Sequence, residues 1–519
     1  MKPPYDPYEA KSSTVRSYAD TLVTKSTLVG PINTTALQNK AKAAENITGE
    51  LTDKLDEPFA NIGGDAKQIA LASAFVAGSL YEWATAIDTF NTGIDGLNER
   101  WNTRSTGPSG GLSPPEAEAQ LIRTLNTDWG TFDAAIDGSA ATLKTELDKG
   151  PDAESVLAYF ANGTLPESAL PLLTALGIDP QKVKSVLADL RTFIKESKDG
   201  NYTSQDRMDA WSGLLETIKG MDPSAAAVIL GALSDDELKD LGEQVGGVSE
   251  QHMASGTDLY SFLLAGATAE QIQRLKDIWD LNPKGGENWG VPTESLFNPP
   301  YVGNDGTTIG AAQGSFDDCW MFAKLNAIVE ADPNWPQQHV RDNGNGTVSV
   351  QFYDGDGNPY WVTVTDELPS NGADPGGVNE STWAAYYEKA MAADDHGADG
   401  ILGGDGYDGL TAGFSDSADE YMTGEESNNL VQGHWPWSDD PYGDVKDAID
   451  DGKGVVVGNW GNQMFDGGDD DMQTFHVYYV KDILPNGDVV LGNPWGHSDV
   501  TLSEGEFNDY AEDVSIVNQ

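Results

Sequence analysis

The hydrophobic period of this chain changes within NPKGGENWGVP, Asn282 to Pro292, and that change sets what it can fold into. Before it, apolar residues recur every three or four positions, the spacing of amphipathic helices. After it, Gly, Asp, Trp and Tyr become frequent and short runs alternate apolar with polar residues, the period of strands. A chain of 519 residues is too long for one ordinary core. The switch therefore reads as a domain boundary. In front stands an all-α half, a long helical hairpin over residues 1–110 and a bundle of shorter helices over 111–285. An α+β domain follows over 286–519.

Within the front half, two long helices are expected over about residues 9–50 and 56–102, the second carrying IALASAFVAGSLYEWATAIDTFNTGIDGLNERW. TRSTGPSGGLSPP, Thr103 to Pro115, is a linker by composition. Ser113 and Glu116 are spaced as a capping box, with prolines between them that suit a first turn. In the helix that follows, Leu121, Leu125, Trp129, Phe132, Ile136, Leu143 and Leu147 share one stripe. From Pro151 the helices shorten. DAESVLAYFANG, PESALPLLTALG and PQKVKSVLADLRTFIKESKDG each begin at Pro or Asp and end at Gly, the usual start and stop chemistry. Their charges fall on polar faces, so no chemistry is expected there. In the last third, TVSVQFYD and YWVTVTD joined by GDGNP read as a hairpin. GKGVVVGNW, TFHVYYVKDI and DVVLGNPWG read as further strands.

Charge narrows the function. With 30 Lys and Arg against 84 Asp and Glu, the net charge is −54. Too few cations exist to build a basic face for nucleic acid or an anionic membrane. No window approaches the ~18 apolar residues of a membrane-spanning helix. The opening MKPPYDPYEAKSSTVRSYADTL lacks the apolar core of a signal peptide, so export would need a different route.

The chain holds one cysteine, Cys319, in QGSFDDCWMF. It sits near the first turn of DDCWMFAKLNAIVEA, a run that reads as helix. There the helix dipole and free backbone N–H groups favour a thiolate. A buried structural cysteine is the competing reading. A thiolate nucleophile needs a base, an orienter for that base and donors for the oxyanion. Of the six histidines, His252, His339, His396, His434, His476 and His497, the best placed is His476, inside the strand TFHVYYV. Asn493 in GNPWG can accept its imidazole N–H, and Trp495 can cover that bond. Gln313 can point its amide at a developing oxyanion. His434 and His497 are the alternative bases.

These segments carry a resemblance. QGSFDDCW resembles the calpain-family signature around the nucleophile, usually Gln-Gly-x-Leu-Gly-Asp-Cys-Trp. STWAAYYEKAMAA, GLTAGFSDSADEYMTG, VSVQFYDGDGNPYWVTVTDELP, TFHVYYV and LGNPWG resemble further segments of that family, over roughly residues 286–510. The resemblance implies a papain-like domain of two lobes and cysteine endopeptidase activity on a protein or peptide substrate. It implies Cys319 as nucleophile, His476 as base and acid, Asn493 as orienter and Gln313 as oxyanion donor. A catalytically inactive papain-fold scaffold and a papain-like acyltransferase are the alternatives.

The sequence also departs from the family. Phe316 and Asp317 replace the usual Leu-Gly, and Asp317 would raise the thiol pKa unless its side chain turns away. Val477 and Tyr478 follow the histidine where the family has a small residue and Ala. Gly310 and Asn428 stand where the family has acidic calcium ligands. No cofactor is therefore expected. The acidic runs DGGDDD, Asp466 to Asp471, and DGDGN read as solvated loops, with loose Ca²⁺ binding as the alternative.

The first 150 residues resemble the long helical hairpins of type VII secretion substrates of Gram-positive bacteria. YDPYE and YTSQD fit that system's Tyr-x-x-x-Asp/Glu pattern, and WSG fits Trp-x-Gly. That resemblance implies a secreted effector exported without a signal peptide, with secretion machinery or an immunity protein as partner. The alternative is a cytoplasmic protease whose helical front targets or inhibits it.

Overall fold

A computed structural model of the chain describes residues 3–26, 50–105, 111–252, 255–297, 311–373, 381–394, 406–416, 419–426, 428–432, 441–459 and 472–518. The chain divides into two compact units, Met1–Leu190 with Gly220–Ser234, and Arg191–Lys219 with Asp235–Gln519. Helix dominates the front half, and the sheets lie in the last third. Among the described residues no helix is long and apolar enough to cross a membrane.

The first unit is helical. Helix Ser12–Ser26 precedes one long helix, Glu50–Asn102, and a third, Pro114–Lys149. The described part of the first expected helix is Ser12–Ser26, residues 27–49 lie outside the described residues, and the second helix begins at Glu50 rather than at 56. Ile87, Phe90, Ile94 and Leu97, spaced by three and four, meet Leu125 and Ile136 in a shared core. Tyr5 anchors the N-terminal segment to it. Its hydroxyl donates to Asn126 Oδ1 at 2.7 Å and its N–H to Asn98 Oδ1 at 2.7 Å. The capping box forms, Glu116 Oε2 accepting the Ser113 N–H at 2.9 Å. The apolar stripe does not stay covered to its end: Leu147 remains 45% exposed. PESALPLLTALG is a 3-10 helix, Glu167–Leu176, rather than an α-helix. Pro171 inside it has no N–H to give to a carbonyl four residues back.

Among its described residues the second unit holds two antiparallel sheets. In the smaller, β1 (Val340–Asp342), β2 (Thr347–Tyr353) and β3 (Pro359–Thr365) lie in that order. The expected hairpin is β2–β3, closing with Tyr353 opposite Pro359. Asp354 makes its turn, its Oδ1 accepting the N–H groups of Asp356 and Asn358 at 3.0 and 2.8 Å. The larger sheet contains β4 (Asn428–Gln432), β5 (Gly454–Asn459), β6 (His476–Ile483), β7 (Val489–Gly492), β8 (Val500–Leu502) and β9 (Asp513–Val517), in the order β4-β9-β5-β6-β7-β8.

Alternation places this larger sheet between two cores. Val456, Val477, Tyr479 and Val517 face the core that contains helix Cys319–Ala331, helix Trp383–Ala393 and the smaller sheet. Their neighbours Val455, Val457, Tyr478, Val480, Val514 and Ile516 face the opposite core, with helices Tyr442–Asp450 and Glu504–Tyr510. A sheet buried on both faces explains the unbroken apolar runs VVV and HVYYV. Helices Ser255–Gly266 and Ala269–Ile278 also belong to this unit. Ser261 Oγ accepts the Thr363 N–H of β3 at 2.9 Å, and Lys276 pairs with Asp366 and Glu367.

Candidate active site

Cys319 is the first residue of its helix, and every residue from Trp320 to Val329 behind it is buried. That burial fixes the helix and so fixes where the thiol points. Trp320 Nε1 donates to Leu410 O at 2.9 Å, and Ala412 N–H donates to Asp317 O at 2.9 Å. Ala412 adopts a left-handed conformation, φ 58°, to make that turn. The segment 410–415 is thereby held against the turn before Cys319.

Two backbone N–H groups act on the thiol, those of Val477 and Trp320. Val477 directly follows His476 on β6, so the strand that carries the histidine also touches the sulfur. His476 is buried, and its Nε2 lies 3.1 Å from Asn493 Oδ1. The same Oδ1 accepts the Trp495 N–H at 3.0 Å, and the Asn493 N–H donates to Asp499 Oδ1 at 3.1 Å. Asn493 is therefore held from both sides within its turn. The Trp495 ring lies against the imidazole at 4.7 Å between centroids, and Tyr478 meets it edge-on at 4.9 Å. Between them, these rings cover the His476–Asn493 bond.

Gln313 joins the two parts. Its N–H donates to Pro494 O, in the Asn493 turn, at 2.8 Å. Its side chain donates to Phe316 O, just ahead of the thiol. Ser315 N–H donates to Asn371 O at 3.2 Å. Gly314 between them has to be glycine: a Cβ there would lie 1.9 Å from Gly372 O.

Burial is the dominant electrostatic influence. It pushes the Cys319 thiol up to about 11; the Val477 N–H pulls it down, and Asp318 pushes it up again. The expectation that the helix N-terminus would favour a thiolate is overturned, because desolvation outweighs the two N–H donors. Asp317 adds to the rise, as its position suggested. Burial lowers His476 below its ordinary value, and the Asn493 bond offsets part of that. Near neutral pH both partners are therefore uncharged at rest.

The other histidines stand elsewhere. His497 is exposed, bonded through Nδ1 to Ser498 Oγ at 2.9 Å. His339 is buried between Trp335 O and the Tyr353 hydroxyl, at 2.9 and 3.1 Å. His396, His434, Gly310 and Asp466 to Asp471 lie outside the described residues, as does the His252 side chain. Asn428 is exposed at the start of β4. Among the described residues no group of three or more His, Cys, Asp or Glu is arranged to hold a metal ion.

Three buried charges near the site escaped sequence reasoning. Lys324, fully buried in the Cys319 helix, pairs with Asp419; burial pulls its pKa well below the ordinary lysine value, and the charges of Asp416 and Asp513 offset part of that. Lys389 donates to Asn282 Oδ1, Thr365 O and Glu367 O at 2.9, 3.0 and 2.6 Å, tying its helix to the end of β3. Glu388 accepts the Ala373 N–H at 2.8 Å beneath the Gln313 loop. The available signal was a charge inside an apolar helical run, as in CWMFAKLNAIVEA and STWAAYYEKAMAA.

Comparison with known proteins finds similarity in the region around Cys319. Residues 268–434 match the calpain family of cysteine proteases, a span that includes Gln313 and Cys319 and ends before His476 and Asn493. The catalytic subunit of human calpain-1 is 26% identical over 152 residues, covering 26% of this chain and 21% of that protein. Calpain clp-4 of Caenorhabditis elegans is 30% identical over 149 residues, 26% of this chain and 19% of its own length. The chain thus spans about a fifth of the length of the curated relatives it matches.

Proposed function

We propose that this chain is a cysteine endopeptidase of calpain type, with a two-lobed papain-like domain. In this reading Cys319 is the nucleophile, His476 the base and acid, Asn493 the orienter and Gln313 an oxyanion donor. One observation supports it: the strand whose His476 bonds Asn493 also carries the Val477 N–H that acts on the Cys319 thiol. That arrangement supports a reading of the three residues as nucleophile, base and orienter.

At rest thiol and imidazole are neutral. With a peptide carbonyl in place, the Cys319 proton passes to His476 as the S–C bond forms and the carbonyl electron pair moves to oxygen. The Cys319 N–H and one Gln313 amide N–H meet that oxyanion, the other amide hydrogen being taken by Phe316 O. Collapse breaks the C–N bond, and His476 gives its proton to the leaving amine. Water, deprotonated by His476, then cleaves the thioester and restores the thiol. Asn493 holds the ring with Nε2 occupied, which leaves Nδ1 to carry the proton. Hydrolysis of casein by the purified chain tests the reading: it should occur with wild type and vanish in Cys319→Ala at unchanged circular dichroism. Equal hydrolysis by both would refute it.

A further inference from the structure

Directly beneath the nucleophile lie two carboxyl groups that the proposed reaction does not use. Asp318 precedes Cys319, and Glu388 comes from helix Trp383–Ala393; both are 0% exposed. Around them five buried polar atoms lack a well-formed hydrogen bond: Gln313 Oε1, Asp318 Oδ1 and Oδ2, Glu388 Oε1 and the Tyr407 hydroxyl, although Glu388 and Gln313 lie near enough to Asp318 to act on it as hydrogen-bonding neighbours. Two ionised carboxylates are acceptors only and cannot satisfy each other. One proton between them turns one into a donor. No lysine neutralises them from the same helix, because Lys389 directs its ammonium to Asn282, Thr365 and Glu367.

The groups that bear on the pair are Asp317 from its own turn, Gln313 from the preceding loop, Cys319 from the nucleophile helix and Tyr407 from the 3-10 helix Gly406–Leu410. None of them is a cation. Burial raises Asp318 to about 7, a hydrogen bond with Glu388 offsetting part of that, and burial together with the charge of Asp318 raises Glu388 well above the carboxylate range. Asp318 in turn raises the thiol. The Gln313 loop rests on the segment that Glu388 binds, through Ser315 to Asn371 and the close pass of Gly314 over Gly372.

We propose that Asp318 and Glu388 share one proton, and that this pair is a positioning element for the reaction. It fixes the turn between Gln313 and Cys319 and keeps a second negative charge away from the sulfur. The catalytic part of this inference rests on Cys319 being the nucleophile; the shared proton does not.

Two readouts on the full chain separate those claims. Infrared difference spectra of wild type against Glu388→Gln and against Asp318→Asn should show, near pH 7, a protonated-carboxyl stretch that both variants lack. No such band in wild type overturns the shared proton, whether or not the chain is a peptidase. The band in a wild type without peptidase activity supports the pair and sinks the function reading instead. In an active enzyme, kcat should fall on the alkaline side as the pair loses its last proton. Glu388→Gln, which cannot make that second ionisation, should move the fall upward by about one pH unit or more. Asp318→Asn should do the same if Glu388→Gln fails to fold. A packing role alone would lower kcat equally at every pH, and an unmoved alkaline limb overturns the positioning role.

Discussion

Replacing Asn493 by Ala removes one atom that does two jobs. Its Oδ1 accepts from His476 Nε2 and from the Trp495 N–H, at 3.1 and 3.0 Å. Without it the buried imidazole N–H has no partner, a cost of about 1–3 kcal/mol that falls on the orientation and tautomer the proposed proton transfer needs. Converted at about 1.4 kcal/mol per decade, kcat should drop by roughly 5- to 150-fold. Loss of the base itself in His476→Ala should cost far more, on the order of 10⁴-fold. The sign of a second variant is independent of these magnitudes. Asn493→Asp keeps the acceptor but adds a negative charge beside the ring, which raises the His476 pKa. Neutral imidazole is the working form, so the acid limb of kcat/KM should move to higher pH by about one unit. Steady-state rates on an unquenching peptide between about pH 5 and 9 measure both effects. Asn493→Ala within twofold of wild type, or Asn493→Asp with an unmoved acid limb, would refute the orienter argument.

Two further outcomes follow from buried contacts and a third from the sequence. Lys324→Met leaves Asp419 buried without its cation and should cost about 3–5 kcal/mol in urea unfolding; a loss below ~1 kcal/mol would contradict the pairing. Ser261→Ala strips the Thr363 N–H of its acceptor and should destabilise the β-sheet unit by about 1–3 kcal/mol, leaving the helical unit's melting unchanged. The resemblance places acidic calcium ligands where this chain has Gly310 and Asn428, so activity should persist in excess EGTA. A rate increase specific to micromolar Ca²⁺ and absent with Mg²⁺ would overturn that.

The hairpin β2–β3 was legible because strand period and turn residues agree over VSVQFYDGDGNPYWV. The runs around Val456 and Val477 read as strands, and the structure adds that both faces are covered. Start and stop residues marked a helix at Glu167–Leu176 but did not distinguish a 3-10 from an α-helix; the internal Pro171 decides that. The thiol's electrostatics were misread. A helix N-terminus is a local feature, whereas the desolvation that outweighs it comes from the packing of distant segments. Glu388, Lys389 and Lys324 were hidden because a charge on a helix ordinarily reads as solvent-facing; only its apolar neighbours on both sides point inward. Single polar contacts such as Ser261 to Thr363, which attach helix Ser255–Gly266 to β3, have no periodic signature.

The most direct test of the central claim is the mass of the native chain after treatment with a peptidyl epoxide, a probe that needs an activated thiol. The chain has one cysteine, so any thiol adduct is on Cys319. The account predicts one adduct on native wild type, and none on His476→Ala or on heat-unfolded protein. Labelling of His476→Ala at the wild-type rate, or no labelling of the native chain, would contradict it.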